Sequence, residues 1–148
     1  MHFQKILVPT DLSTEGERSL PVVSSLARKL GAEVLLFHAI ENVGVAPLGE
    51  GGVVPSFLPG TKEEIARART LLAERHARFF AGVKVTPEVV VVPSVPHAIV
   101  DAAREKGCDV IALSTHGRSG FRRLIMGSVA EAVLRNSRVP VLVFPRQE

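Results

Sequence analysis

Glycines, serines and arginines are concentrated between Ser114 and Val129, in the segment STHGRSGFRRLIMGSV. The segment follows a short apolar run at residues 110–113, typical of a strand covered on both faces, and it precedes a helical sequence. Glycine lets several backbone N–H groups approach a ligand, and a helix start adds free N–H groups and the positive end of a dipole. This combination predicts a site for a phosphate or a similar anion.

Individual residues of this segment suit particular tasks in such a site. Gly117 and Gly127 allow close approach of the main chain, the Ser128 hydroxyl can donate, and Arg118 supplies a cation. Ser128 also fits the N-cap of the following helix, since Glu131, three residues on, completes a capping box. The spacing alone leaves an alternative, in which the glycines only make a tight turn and the serine only caps the helix. The chain contains no Gly-Lys-Ser/Thr, so this is not a Walker loop.

An acidic residue lies in the loop after the first predicted strand, which spans residues 3–9. A helix is predicted from Ser13 or Thr14 to about Leu30. Asp11, between the two, could bind a ribose hydroxyl or a metal ion, or it could only initiate the turn. In a parallel α/β sheet this loop opens at the carboxyl edge, where ligands bind.

The remaining chain alternates strands and helices. Strands are predicted at residues 33–40, 83–92, 110–113 and 139–145, and helices at 61–81, 97–106 and 128–136. This order predicts one α/β domain over residues 1–148, a doubly wound, Rossmann-like parallel sheet of five strands with helices on both faces. Pro87 places the third strand at a sheet edge. Residues 42–60 give no secure helix or strand and are interpreted as a variable loop.

Three other residues with potentially reactive side chains have ordinary structural interpretations. His38, inside the second strand, is interpreted as a core histidine that is hydrogen-bonded to backbone. His97 could be a catalytic base, but an exposed residue at a helix start is the preferred interpretation. Cys108 is the only cysteine, which excludes an intramolecular disulfide and favours a small buried filler between a helix and a strand.

Composition narrows the class of partner. The 148 residues carry a net charge of +3, from 18 Lys and Arg against 15 Asp and Glu. With no Trp or Tyr, a base-stacking surface for nucleic acid is hard to build. A small phosphate ligand explains the dense basic cluster of Arg118, Arg122 and Arg123 at least as well as a nucleic-acid backbone does. No apolar run approaches membrane-spanning length and no signal peptide precedes the first strand. These features predict a cytoplasmic protein without a membrane or nucleic-acid partner.

Two stretches of the chain resemble the universal stress protein (UspA-like) family: STHGRSGFRRLIMGSVAEAVLRNSRVPVLVFP and the opening ILVPTDLS. The resemblance covers nearly the whole chain except residues 42–60. Nucleotide-binding members of that family carry Gly-x2-Gly-x9-Gly-Ser/Thr. Gly117, Gly127 and Ser128 match the second glycine, the third glycine and the hydroxyl residue, whereas Ser114 stands where the family has its first glycine.

The resemblance implies the strand order 3-2-1-4-5, a homodimer formed through the last strand (Val139 to Phe144), and a site for an adenine nucleotide. The expected ligand is ATP, with or without Mg²⁺, bound by a stress-response sensor or switch. The implied nucleotide-binding residues are Pro9, Thr10, Asp11, Ala39, Leu113, Ser114, His116, Gly117, Arg118, Ser119, Gly120, Gly127, Ser128 and Val129.

Two alternatives remain open at this point. The chain could be a nucleotide-free universal stress protein that acts as a dimeric interaction module, an interpretation favoured by Ser114. It could also be a slow ATPase. The sequence contains no recognisable nucleophile–base pair or carboxylate dyad, so no catalytic or metal-binding residue is predicted, and at most slow ATP hydrolysis or autophosphorylation is expected.

Overall fold

The computed structural model describes residues 2–42, 60–114 and 126–144. Within them, helices and strands alternate along most of the chain, as the apolar pattern predicts. The elements are β1 (Lys5–Pro9), α1 (Thr14–Glu17), α2 (Leu20–Leu30), β2 (Glu33–Glu41), α3 (Lys62–Phe79), β3 (Val85–Val92), α4 (Val95–Glu105), β4 (Val110–Ser114), α5 (Ser128–Asn136) and β5 (Val141–Phe144).

All five strands belong to one parallel sheet in the order β3-β2-β1-β4-β5, which confirms the predicted doubly wound architecture. β1 pairs with both β2 and β4, so the carboxyl ends of β1 and β4 lie side by side. β3 is an edge strand, and its Pro87 pairs with Leu36 of β2. The proline is tolerated because one side of an edge strand needs no ladder hydrogen bonds.

Helices cover both faces of the sheet and bury its apolar side chains. Successive strand residues point to opposite faces, so Ile6 and Leu7, both fully buried, enter different cores. Ile6 belongs to the cluster that contains Leu72 of α3. Leu7 belongs to the cluster that contains Ile99 of α4 and Val133 of α5. The result is a three-layer arrangement, with the sheet between two layers of helices.

The predicted helix over residues 14–30 is wrong as a single element, because it is divided into α1 and α2. Pro21 lies in the first turn of α2 and has no N–H to donate to the preceding turn, so a continuous helix would lose a hydrogen bond there. Ser13 caps α1, with its Oγ accepting a 3.1 Å hydrogen bond from the Gly16 N–H. Gly31, at φ 64°, ends α2 as predicted.

Other predicted boundaries are correct to within about two residues. Thr61 caps α3 by accepting from the Glu64 N–H at 3.2 Å, as predicted. The Glu64 carboxylate accepts from the N–H of Gly60 at 2.6 Å. β5 begins at Val141 because Val139 is held in a turn by the Ser137 hydroxyl. Among the described residues, no helix combines the length and the apolar character needed to cross a membrane.

Candidate functional site

A cleft of about 690 Å³ lies where β1, β2 and β4 end. The loop after β1 forms one border, and the first turn of α5 forms another. α3 and α4 provide side walls from the two faces of the sheet. The cleft therefore lies at the carboxyl ends of the neighbouring strands β1 and β4, which is where open α/β sheets bind their ligands.

Every predicted site residue that the structure describes lines this one cleft. The loop after β1 therefore lies close to the end of β4 and to the start of α5, as the strand order implied. The residues are Pro9, Thr10, Asp11, Ala39, Leu113, Ser114, Gly127, Ser128 and Val129. The other predicted site residues lie outside the described part of the chain: His116, Gly117, Arg118, Ser119 and Gly120.

Asp11 organises the turn after β1 and also borders the cleft. Its Oδ1 accepts hydrogen bonds from the Ser13 N–H at 3.0 Å and from the Ser13 hydroxyl at 2.6 Å. Thr10 Oγ1 accepts from the Leu12 N–H at 3.1 Å. These local hydrogen bonds fix the direction in which the loop leaves β1.

The same loop is anchored to α3 at Leu12. Leu12 has φ 61°, a left-handed conformation that is unfavourable for a branched side chain. Its carbonyl accepts a 3.1 Å hydrogen bond from Arg75 Nη2, and Arg75 also forms an ion pair with Glu17 of α1. The Arg75 and Glu17 side chains are only 12% and 14% exposed, so this contact is largely shielded from solvent. The loop that carries Asp11 therefore has a fixed position relative to α3.

His38 ties the end of β2 to the same loop. Its Nδ1 lies 2.8 Å from the carbonyl oxygen of Thr10, and the Thr10 N–H donates to the carbonyl of Phe37 at 2.9 Å. The predicted hydrogen bond to backbone is thus confirmed. The ring is half-buried rather than fully in the core, and it borders the cleft.

The start of α5 differs by one residue from the prediction. Gly127 is the N-cap, at φ −60° and ψ 150°, and its carbonyl accepts the first helical hydrogen bond from the Glu131 N–H at 3.0 Å. Ser128 is the first helical residue, so the predicted capping box is wrong, and the Glu131 carboxylate instead pairs with Arg135 at 2.7 Å. No side chain among the described residues caps α5, and its first-turn N–H groups lie at the cleft, where they suit an anion.

The predicted site residues do not include the side chains of α3 and α4 that form the side walls of the cleft. The α3 residues that line the cleft have helical spacing, but none of them is among the predicted site residues. The missed lining residues on α3 are Glu64, Arg67, Ala68 and Leu71, and those on α4 are Val95 and Ile99.

Two residues considered for reactivity lie outside the cleft. His97 is exposed, and its Nδ1 lies 2.9 Å from the hydroxyl of Ser94. Cys108 is buried, as predicted, and burial raises the pKa of its thiol to about 11. No group of His, Cys, Asp or Glu among the described residues has the geometry of a metal site.

Comparison with known sequences assigns the family. The profile of the universal stress protein family matches residues 2–145. Universal stress protein MJ0577 of Methanocaldococcus jannaschii is 29% identical over 158 residues, covering 98% of this chain and 96% of the relative. Universal stress protein MJ0531 of the same organism is 30% identical over 152 residues, covering 99% of this chain and 85% of the relative. The chain belongs to the universal stress protein family.

Solved structures agree with this assignment. The structure of MJ0577 superposes with a TM-score of 0.75 at 27% identity, covering 100% of this chain and 99% of that one. A universal stress protein in complex with cAMP has a TM-score of 0.70 at 21% identity, with 98% of each chain covered. The Archaeoglobus fulgidus universal stress protein in complex with dAMP has a TM-score of 0.67 at 24% identity, covering 97% of this chain and 98% of that one.

Proposed function

We propose that this protein binds an adenine nucleotide, with ATP as the preferred ligand, and acts as a stress-response sensor or switch. The observation that carries the proposal is the convergence of two features in one cleft. The uncapped start of α5, at Gly127 to Val129, faces the acidic loop at Asp11. The first suits a phosphate and the second suits a ribose hydroxyl.

The two ends of the cleft differ in chemistry, as a nucleotide requires. Near β2, Ala68 and Leu71 of α3 give apolar lining beside the charged Glu64 and Arg67 of the same helix. Val95 and Ile99 add apolar lining from α4, which packs against both β2 and α5. The end at α5 offers backbone N–H groups and the Ser128 hydroxyl. A base at the apolar end and phosphates at the polar end would match this gradient, and the volume is within the range of small-molecule sites.

Solved relatives lend support of a more general kind. Two universal stress proteins of this fold were solved with cAMP and with dAMP, both adenine nucleotides. Those ligands are properties of those proteins. For this chain they support the class of ligand, whereas ATP as the particular nucleotide is the expectation that the family resemblance implies.

Mg²⁺ can accompany ATP in this proposal without a dedicated protein site. Magnesium in nucleotide complexes is commonly held by one or two carboxylates together with phosphates and water. Asp11, on the loop after β1, is a carboxylate in position to contribute at the cleft. Asp11 would hold the ion or the ribose, and Ser128 and the α5 N–H groups would hold phosphate.

Calorimetric titration of the purified protein with ATP, with and without Mg²⁺, tests the proposal. Gly127→Val should abolish binding, because a branched side chain would project where the phosphate approaches. The fold should survive, since φ −60° and ψ 150° suit any residue. Ser137→Val, at the other end of α5 with φ −69° and ψ 138°, adds a comparable side chain away from the cleft and should leave binding unchanged.

The second candidate is a nucleotide-free dimeric interaction module. β5 lies at the sheet edge, where a second copy could add its own strand, and Val143 there is 36% exposed. A homodimer through β5 remains a prediction under either candidate, as does a cytoplasmic location. Absence of ATP binding with and without Mg²⁺, in a preparation that is dimeric by light scattering, would favour this second function.

A further inference from the structure

One wall of the cleft is a stripe along α3. Glu64, Arg67, Ala68 and Leu71 are spaced by three and four residues, which places them on one face of the helix, and all four line the cleft. α3 packs against β2 and β3, so this wall stands at the β2 end, away from the start of α5. Among the described residues that line the cleft, Arg67 is the only lysine or arginine.

The Arg67 side chain is exposed. It forms no hydrogen bond or ion pair with any residue in the described part of the chain. The neighbouring Glu64 carboxylate instead accepts from the N–H of Gly60 at 2.6 Å. Arg75, two turns further along α3, is held by Glu17 and Leu12. The Arg67 guanidinium is therefore available to a ligand.

At the β2 end of the cleft, the described residues offer apolar side chains but little aromatic surface for a base to stack on. The chain has no Trp or Tyr. Phe37 borders the cleft but is only 2% exposed, and the ring of His38 is held by its contact with the Thr10 carbonyl. A guanidinium is planar and packs flat on aromatic rings, with its aliphatic stem extending an apolar wall. Arg67 is positioned to do both.

We propose that Arg67 is a base-recognition residue, whose guanidinium packs flat against the purine ring at the β2 end of the cleft. This inference rests on the proposed nucleotide-binding function. It assigns the phosphates to the start of α5 and the base to the wall formed by α3. Arg67 then contributes through its shape as well as its charge.

Calorimetric titrations with ATP and with adenosine test this assignment. Arg67→Met should weaken the binding of both ligands by the same factor, about tenfold, because the lost contact is with the base that they share. Arg67→Lys should not restore affinity, since an ammonium group keeps the charge but lacks the plane. Arg69→Met is the matched control: it removes the same charge from the same helix, but Arg69 borders a separate depression with Leu72 and Pro87.

The outcomes separate this inference from the proposal on which it rests. If the wild type binds neither ATP nor adenosine, both are overturned. If Arg67→Met weakens ATP but not adenosine, or if Arg67→Lys restores the affinity for ATP, Arg67 contacts phosphate and only the base assignment fails. Equal losses for both ligands, with Arg69→Met unchanged and the melting temperatures of all variants alike, support it.

Discussion

Gly16 in α1 is the residue whose substitution most directly tests the geometry of the Asp11 loop. A Cβ added at Gly16 would lie 2.6 Å from Asp11 Oδ1 and 3.3 Å from Ser13 Oγ. The first distance is well inside van der Waals contact, so the carboxylate has to move. Asp11 Oδ1 accepts two hydrogen bonds from Ser13, and moving it disrupts both.

The expected magnitude follows from two opposing effects. Two hydrogen bonds at about 1 kcal/mol each give a loss of roughly 2 kcal/mol. Alanine is a better helix former than glycine, which offsets at most about 1 kcal/mol of this loss in the free energy of unfolding. Gly16→Ala should therefore lower the free energy of unfolding by about 1 kcal/mol, or the melting temperature by about 3 °C for a chain of this size.

A double-mutant cycle with Asp11→Ala makes the test sharper, because the sign should reverse. Without the carboxylate the 2.6 Å clash is removed and only the 3.3 Å approach to Ser13 Oγ remains, so Gly16→Ala should stabilise the Asp11→Ala protein by up to about 1 kcal/mol. Urea denaturation of the four proteins would measure a coupling of about 2 kcal/mol. The reasoning is refuted if Gly16→Ala has the same effect in both backgrounds, or if it stabilises the wild type.

Three further outcomes are expected. Leu72→Ala, at a fully buried position, should lower the free energy of unfolding by about 2–5 kcal/mol in urea denaturation, and a loss below about 1 kcal/mol would contradict the packing described. Hydrogen bonds from Lys84 and Lys5 hold the pKa of Glu33 below its ordinary 4.5, so the stability it adds is present above that pH and is lost as pH falls through the lowered pKa. The melting-temperature difference between wild type and Glu33→Gln should accordingly shrink below pH 4.5. A difference that grows below pH 4.5 would contradict a lowered pKa for Glu33. Val143→Lys should convert the predicted dimer to a monomer in light scattering, because it places a charge on the exposed edge strand, and an intact dimer would locate the interface elsewhere.

Much of the fold was predictable because its signals are local and consistent. Buried parallel strands appear as continuous apolar runs, and Pro87 can only be accommodated where one strand edge is unpaired. Thr61 precedes a helix in a pattern with few other interpretations. The order of the strands, by contrast, came from the family resemblance, since the alternation of elements is compatible with several orders.

The wrong predictions concern segments whose sequence is compatible with two local structures. Gly127-Ser128 permits a helix to begin after either residue, and the glycine carbonyl takes the first hydrogen bond. Pro21 is compatible with the first turn of a new helix, which allowed the division into α1 and α2. Periodicity also cannot separate the two environments of α3: Leu72 is fully buried, whereas its neighbour Leu71 lines the cleft.

Because the Cys108 thiol is buried and has a raised pKa, an introduced cysteine could be labelled selectively in this chain. With a pKa of about 11, roughly one thiol in ten thousand is ionised at neutral pH, and the side chain is 5% exposed. A cysteine engineered on the solvent side of a helix would thus be the one that reacts with maleimide dyes, and the native residue could stay in place. Because the chain also lacks tryptophan and tyrosine, an introduced indole would fluoresce against a dark background.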